Sequence, residues 1–267
     1  MTDTGRGAGP DFIEALARGL DVLRSFRSGS PALTLSEIAA GTGLARPTVR
    51  RILITLEQLG YVRADGRGYA LTPRVLDLGM AYVHSLNLWE VARPHMEKLV
   101  AQTNESTSIA QLDGSDIVYV ARVAVPKIVT LGVSIGTRFP APPTSMGKVL
   151  LAALPPEAMA RVLAEPSRSG ITPRWQPSAA ELSTALRSVR AKGWALADQD
   201  LAPGIRSIAT GVRDGEGRVI AAVNVTVHAA ETSVETLVEE HLPRLLRTAA
   251  DISHDWSLTA RIPAVTV

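Results

Sequence analysis

Thr34-Leu-Ser-Glu-Ile-Ala-Ala-Gly-Thr-Gly43 and, directly after it, Leu44-Ala-Arg-Pro-Thr-Val-Arg-Arg-Ile-Leu-Ile-Thr-Leu-Glu-Gln-Leu-Gly60 decide the first part of the fold. Thr34 and Glu37 have the spacing of a capping box, in which the hydroxyl accepts from the Glu37 amide and the carboxylate reaches back. The short helix they start buries Leu35, Ile38 and Ala39 and stops at Gly41-Thr-Gly43. Pro47 suits the first turn of a further helix, where a missing N–H costs nothing. Val49, Ile52, Leu53, Leu56 and Leu59 form one stripe of that helix, and Gly60 ends it. Two helices joined by so tight a turn read as a helix-turn-helix.

The flanks complete the motif. Upstream, Asp11 can cap a helix whose Leu16, Leu20 and Leu23 share a face, ended by the turn Ser28-Gly-Ser-Pro31. Downstream, Tyr61–Ala64 and Tyr69–Leu71 flank Asp65-Gly-Arg-Gly68, a hairpin turn. Three short helices and a hairpin predict a winged helix-turn-helix over 11–72. With the apolar stripe inward, Pro47, Arg50, Arg51 and Ile54 turn outward. Arginine suits that face because its planar fork grips guanine O6 and N7, or a phosphate, with two bonds. The candidate DNA contacts are Thr34, Ala45, Arg46, Pro47, Thr48, Arg50, Arg51 and Thr55, with Arg63 and Arg67 on the wing.

Charge agrees with this reading. Between Arg18 and Arg74 stand nine arginines, no lysine and four acids (Asp21, Glu37, Glu57 and Asp65), a net +5 that leaves the rest of the chain at −3. A basic module joined to a mildly acidic one fits a nucleic-acid reader with a separate regulatory part. At 267 residues the chain can hold two domains, and 46% hydrophobic with 20% charged residues is globular composition. It has no cysteine, hence neither disulfides nor thiolate metal sites. No run approaches a membrane span, and Met1–Pro10 lacks a signal-peptide core. A cytoplasmic protein is expected, with no membrane partner and a disordered tail over 1–10.

Beyond the hairpin, Thr72-Pro73 restarts a linker helix, placed over 73–87, with Val75, Leu76, Tyr82 and Val83 as its apolar side. A helix over Leu88–Thr103 leads into strands at Ser106–Leu112, Ile117–Val123 and Ile128–Val133, then a proline-rich loop, Phe139-Pro-Ala-Pro-Pro143. Helices follow from the Thr144 cap to Leu154, over Pro156–Ala164 and over Ala179–Lys192. Strands recur at Trp194–Ala197, Ser207–Arg213 and Val219–Val227, before a closing helix over Thr232–His254. Strands paired by hairpins and flanked by helices indicate an α+β domain with an antiparallel sheet, bounded at 88–257 and followed by a tail over 258–267.

The run Leu35–Val62 resembles the DNA-binding domain of the IclR family of bacterial regulators. Three later runs resemble its effector-domain motifs in the same order: Pro140-Ala-Pro-Pro-Thr-Ser-Met-Gly-Lys-Val-Leu-Leu-Ala152, Asp198-Gln-Asp-Leu-Ala-Pro-Gly-Ile-Arg-Ser-Ile-Ala209 and Ala221-Ala-Val-Asn-Val-Thr-Val-His228. The second is most similar to the subgroup controlling aromatic-acid breakdown through the β-ketoadipate pathway. The resemblance implies a GAF-like sheet with a pocket closed by the Phe139–Thr144 loop. Its polar contacts would be the amides of Ser145 and Met146, then Asp198, Ser207, Asn224 and Thr226. Its apolar walls would be Leu131, Val133 and Phe139, and Arg206 would tether its loop. First-turn amides attract a carboxylate, so the implied effector is a small aromatic or dicarboxylic acid. The implied partners are a near-palindromic DNA duplex and a second copy of the chain, as a dimer or a dimer of dimers. Three departures stand out: Ala45 replaces the usual cap serine, Pro142 a histidine and Gly211 a proline.

Two rival readings are open. Gly132-Val-Ser-Ile-Gly136 matches a nucleophile elbow, which needs a strand, a sharp turn and an immediate helix; Thr137-Arg-Phe-Pro-Ala-Pro-Pro143 cannot open one. The C-terminal domain could also serve only for dimerisation. The five histidines lack metal-ligand spacing, so neither metal nor cofactor is expected.

Overall fold

The computed structural model describes residues 9–26, 32–66, 68–86, 88–126 and 132–259. The chain divides into two compact units, Met1–Tyr82 and Val83–Val267. The division falls inside the helix expected to be the linker.

In the first unit, α1 (Glu14–Ser25), α2 (Leu35–Thr42) and α3 (Arg46–Gln58) precede the antiparallel hairpin β1 (Val62–Asp65) and β2 (Gly68–Leu71). The capping box on α2 forms as the spacing predicts, and Gly43 closes the helix in the left-handed region at φ 69°. Pro47 sits in the first turn of α3, whose preceding cap residue Ala45 makes no side-chain bond. Val22, Ile38, Ala39, Val49, Leu53, Leu56 and Val62 form the core, each large one contributing about 1.5–3 kcal/mol by leaving water. Glu57 Oε1 accepts from the Ala64 amide at 3.0 Å, tying α3 to the wing. Gly68 lets the hairpin lie against Leu33, whose carbonyl oxygen would stand 2.5 Å from any Cβ there. Asp11 does not cap α1: the cap residue is Ile13, without a side-chain bond. Leu16 and Leu20 are exposed. The Ser28–Pro31 turn lies outside the described residues. The helix α4 (Val75–Leu86) follows Thr72, whose hydroxyl donates to the Gly60 carbonyl at 2.5 Å.

The second unit is a six-stranded, wholly antiparallel sheet with helices on both faces. After α5 (Leu88–Thr103) come β3 (Ser106–Asp113), β4 (Asp116–Val123) and β5 (Arg138–Pro140). Then follow α6 (Ser145–Ala153), α7 (Pro156–Ala164), α8 (Ala179–Lys192), β6 (Trp194–Asp198), β7 (Ile205–Arg213) and β8 (Val219–His228). The chain closes with a single turn α9 (Val234–Thr236), a π-helical turn over Leu237–His241 and α10 (Leu242–Thr259). Strand order is β5-β4-β3-β8-β7-β6. Alternation along the strands divides the core. Ile109, Ile208, Val223, Val225 and Val227 pack against α5 and α10. Ala110, Ala209 and Ala222 point to the other face, where their small side chains let α6 approach closely.

Three expectations need correction. Phe139 and Pro140 belong to an edge strand, β5, not to a loop; proline is tolerated there because an edge amide need not join the ladder. The expected strand over 128–133 falls mainly outside the described residues, and Gly132 and Val133 are not in a strand. The closing helix also runs five residues past His254, to Thr259.

Candidate effector pocket and DNA-reading surface

The N-terminus of α6 is built by close approach. Thr144 Oγ1 accepts from the Gly147 amide at 3.0 Å and donates to the Ala141 carbonyl at 3.0 Å. The helix rests so tightly on this turn that a Cβ at Gly147 would lie 2.0 Å from the Ala141 oxygen. The amides of Ser145 and Met146 make no hydrogen bond among the described residues, as first-turn amides do not.

Beneath this helix end lies a small, partly open pocket. Of the nine residues expected around an effector, six line it: Phe139, Ser145, Met146, Ser207, Asn224 and Thr226. The sheet explains their meeting. Ala197 stands opposite Ser207, and Ser207 opposite Thr226, so three strands present one row of side chains to the cavity. Ser145 and Ser207 join hydroxyls at 2.8 Å, linking α6 to β7. Asn224 accepts from the Ser108 amide through Oδ1 at 2.9 Å and donates through Nδ2 to Thr226 at 2.9 Å. One of its N–H groups remains for a ligand.

The other three do not join the site. Asp198 lies outside the pocket because Arg206 Nε donates to its Oδ1 at 2.8 Å. That hydrogen bond holds the Asp198 carboxyl below its ordinary range. Arg206 also donates to the Thr232 carbonyl at 2.6 Å, a tether as expected. Val133 packs against the α6-side core but does not line the cavity. Leu131 lies outside the described residues. Pro142 and Gly211 do not line the pocket either.

Pro143 and Thr144 line it from the loop expected to close it, and Tyr119, Ala197, Leu201 and Ile205 line it without having been anticipated. Ala197 and Ile205 carry no chemistry that a motif could flag. Tyr119 was legible as part of the Ile117–Val123 strand, but its face was not. It meets Phe139 edge-on at 5.6 Å, and burial raises its phenol pKa to about 12, so it is a neutral donor. Leu201 is brought over the cavity by its loop. Lys148 Nζ, itself buried, donates to Asp200 at 2.5 Å and to the Leu196 carbonyl at 2.9 Å, and stands 4.6 Å from the Trp175 ring centroid.

In the first unit Ala45, Arg46, Pro47, Arg50, Arg51 and Thr55 are exposed on α3, and Thr48 is half-buried. Thr55 donates to the Arg51 carbonyl at 3.0 Å. Thr34 is exposed, with its hydroxyl committed to the capping box. Arg63 on the wing stands 3.5 Å from Asp65. Arg67 lies outside the described residues. Gly132–Gly136 makes no nucleophile elbow, because the next element is β5 and not a helix. Among the described residues no group of His, Asp or Glu could hold a metal ion, and no helix is long and apolar enough to cross a membrane.

Comparison with known proteins identifies both units. Residues 15–66 match the IclR helix-turn-helix domain, and residues 80–254 match the bacterial transcriptional regulator IclR C-terminal domain. The chain is 39% identical over 246 residues to the Pca regulon regulatory protein of Pseudomonas putida, covering 92% of this chain and 84% of that one. It is 32% identical over 247 residues to the p-hydroxybenzoate hydroxylase transcriptional activator of Acinetobacter baylyi, covering 91% of each. Its fold matches an IclR homologue of Microbacterium hydrocarbonoxydans, solved in complex with 4-hydroxybenzoate, at TM-score 0.77 and 26% identity, over 91% of this chain and 99% of that one. These relatives are regulators, not enzymes. The chain belongs to the IclR family of bacterial transcriptional regulators.

Proposed function

We propose that DNA binding by the first unit is controlled by a small organic acid, aromatic or dicarboxylic, held in the α6 pocket. The observation that carries this is the meeting, in one cavity, of unbonded helix amides at Ser145 and Met146 with an apolar wall from Phe139 and Tyr119. The first attracts an anion and the second a body with carbon or ring surface. The neighbour that holds 4-hydroxybenzoate supports the same ligand class. On the DNA side, the N-terminal part of α3 enters the major groove, with Arg46, Arg50 and Arg51 toward bases and phosphates and Arg63 toward the backbone. The domain limits are 11–72 for the DNA reader, 73–87 for the linker and 88–257 for the effector domain. The protein works in the cytoplasm.

It acts as at least a dimer. Phe12, Ile13, Leu16 and Leu20 around α1 and Leu76, Leu78, Met80 and Tyr82 on α4 are exposed in the single chain. Apolar residues on that scale within one small unit favour a symmetric partner, and a symmetric reader implies a near-palindromic operator.

The test has two arms on the full-length protein. Selection from a random duplex library should yield a near-twofold sequence. Calorimetry with 4-hydroxybenzoate, benzoate and linear dicarboxylates should detect binding by at least one acid, and that acid should change affinity for the selected duplex. Binding of none would reduce the second unit to a dimerisation module.

A further inference from the structure

The α6-side face of the sheet carries a cation that the pocket described above does not account for. A β-bulge in the β3–β4 pairing puts Ile109 opposite Ala121 and Ala110 opposite Tyr119, so Val120 is the extra residue. Val120 and Ala121 consequently both pack on the α5–α10 side. The residue after them, Arg122, is thereby returned to the face that carries Tyr119. Register confirms this: Ala209, Asn224, Ser108 and Arg122 stand directly opposite one another across β7, β8, β3 and β4. Directly opposed side chains share a face. Arg122 Nη1 donates to Ser108 Oγ at 3.1 Å, so the guanidinium already leans one strand toward Asn224. Adjacent strands are about 4.8 Å apart, which sets it roughly one strand spacing from the cavity wall.

Arg122 is half-buried, and among the described residues Ser108 is its hydrogen-bond partner and no carboxylate pairs with it. Other cations beside the site are neutralised, Lys148 by Asp200 and Arg206 by Asp198. Among the described residues no side chain lining the cavity is charged. Tyr119, three residues earlier on β4, is a buried residue that lines the cavity, and its hydroxyl makes no hydrogen bond among the described residues. Burial disfavours the charged form of Arg122, and the pull is relieved whenever an anion arrives.

We propose that Arg122, assisted by the Tyr119 hydroxyl, takes a second acid group of the effector, so that the physiological ligand is a dicarboxylate spanning from the α6 amides to Arg122. This rests on the effector reading above and narrows it to doubly charged acids. Guanidinium and carboxylate are matched in planar geometry, and pairing removes the cost of leaving Arg122 partly desolvated without a counter-ion.

The experiment is calorimetry on the full-length protein with glutarate, adipate and pimelate, each set against its monoacid, pentanoate, hexanoate or heptanoate. The best diacid should bind roughly tenfold or more tightly than its monoacid, the range of a hydrogen bond to a charged group. Arg122→Gln should remove that advantage while leaving monoacid affinity within about twofold. Arg122→Lys should keep part of it, and Tyr119→Phe should reduce it. If Arg122→Gln does not fold, Arg122→Lys and Tyr119→Phe carry the comparison, and an unchanged diacid preference in both overturns the proposal. Equal affinity for diacids and monoacids in the unmodified protein also overturns it, leaving the effector reading intact. Failure of every acid, 4-hydroxybenzoate included, overturns both.

Discussion

Gly147 is the residue on which the pocket's geometry depends most narrowly. Backbone atoms of Ala141 occupy the place of a Cβ, and backbone cannot swing aside as a side-chain tip can. Gly147→Ala should destabilise the second unit by ~1–3 kcal/mol, the cost of overpacking, and should weaken acid binding by displacing the Ser145 and Met146 amides. Thermal melting and ligand calorimetry on the same sample check both. Asp198 makes a different prediction. Its folded-state pKa is depressed by Arg206, so its contribution to stability is present above the ordinary carboxylate value of about 3.9 and disappears as pH falls through the lower folded value. Asp198→Asn should therefore melt below the parent at pH ~7, with the gap closing as pH drops below ~4. A gap of constant size would refute the linkage. The sequence places Asp198 and Arg206 eight residues apart, but only the β6–β7 register makes them opposite partners. Their mutual pairing was therefore not legible, whereas Ser207 and Thr226 came to the site through the family resemblance.

At the scale of elements, α3 carries the strongest prediction. If Arg50 or Arg51 grips a guanine, its replacement by alanine should cost ~1–3 kcal/mol and relax preference at one position per half-site. If it holds a phosphate, all sequences should weaken and the salt slope should flatten. Wild-type affinity in both Arg50→Ala and Arg51→Ala, measured by fluorescence anisotropy at physiological salt, would remove α3 from the interface. The same helix starts without a side-chain cap at Ala45, so Ala45→Ser should stabilise the first unit by roughly 0.5–2 kcal/mol. Helices with caps at both ends, such as α8 between Ser178 and Gly193, were readable almost to the residue. β5 was not, because three residues ending at Pro140 are too short to show a period of two, and the strand exists only through its pairing with β4. The bulge at Val120 was hidden for a related reason: Ile117–Val123 alternates well enough to pass as regular, and the slip is visible only against β3.

For the whole molecule, the order of helices, hairpin, linker and sheet was legible because each boundary carries turn or capping chemistry, while assembly was readable only as excess apolar surface. The α1 and α4 residues predict that Leu76→Glu combined with Leu16→Glu shifts the protein toward monomer at micromolar concentration and lowers operator affinity. Light scattering that finds the unmodified protein monomeric, with intact DNA binding, would remove the dimer. The placement of the tryptophans has a further consequence. Trp256 lies in the core facing α5 and α10, with Trp89 and Trp194 packed against it, whereas Trp175 packs on the α6 side. The Trp175 amide donates to the Asp200 carbonyl at 2.7 Å, one residue before Leu201 of the cavity wall, and the Lys148 charge sits over its ring. An indole's emission colour follows the electric field across its ring, so a displacement of that loop changes the light the protein gives off. A ligand that displaces this loop would thus be reported by the protein's own emission. Effector titration should shift the emission maximum in the native protein and leave it still in Trp175→Phe, with no dye attached.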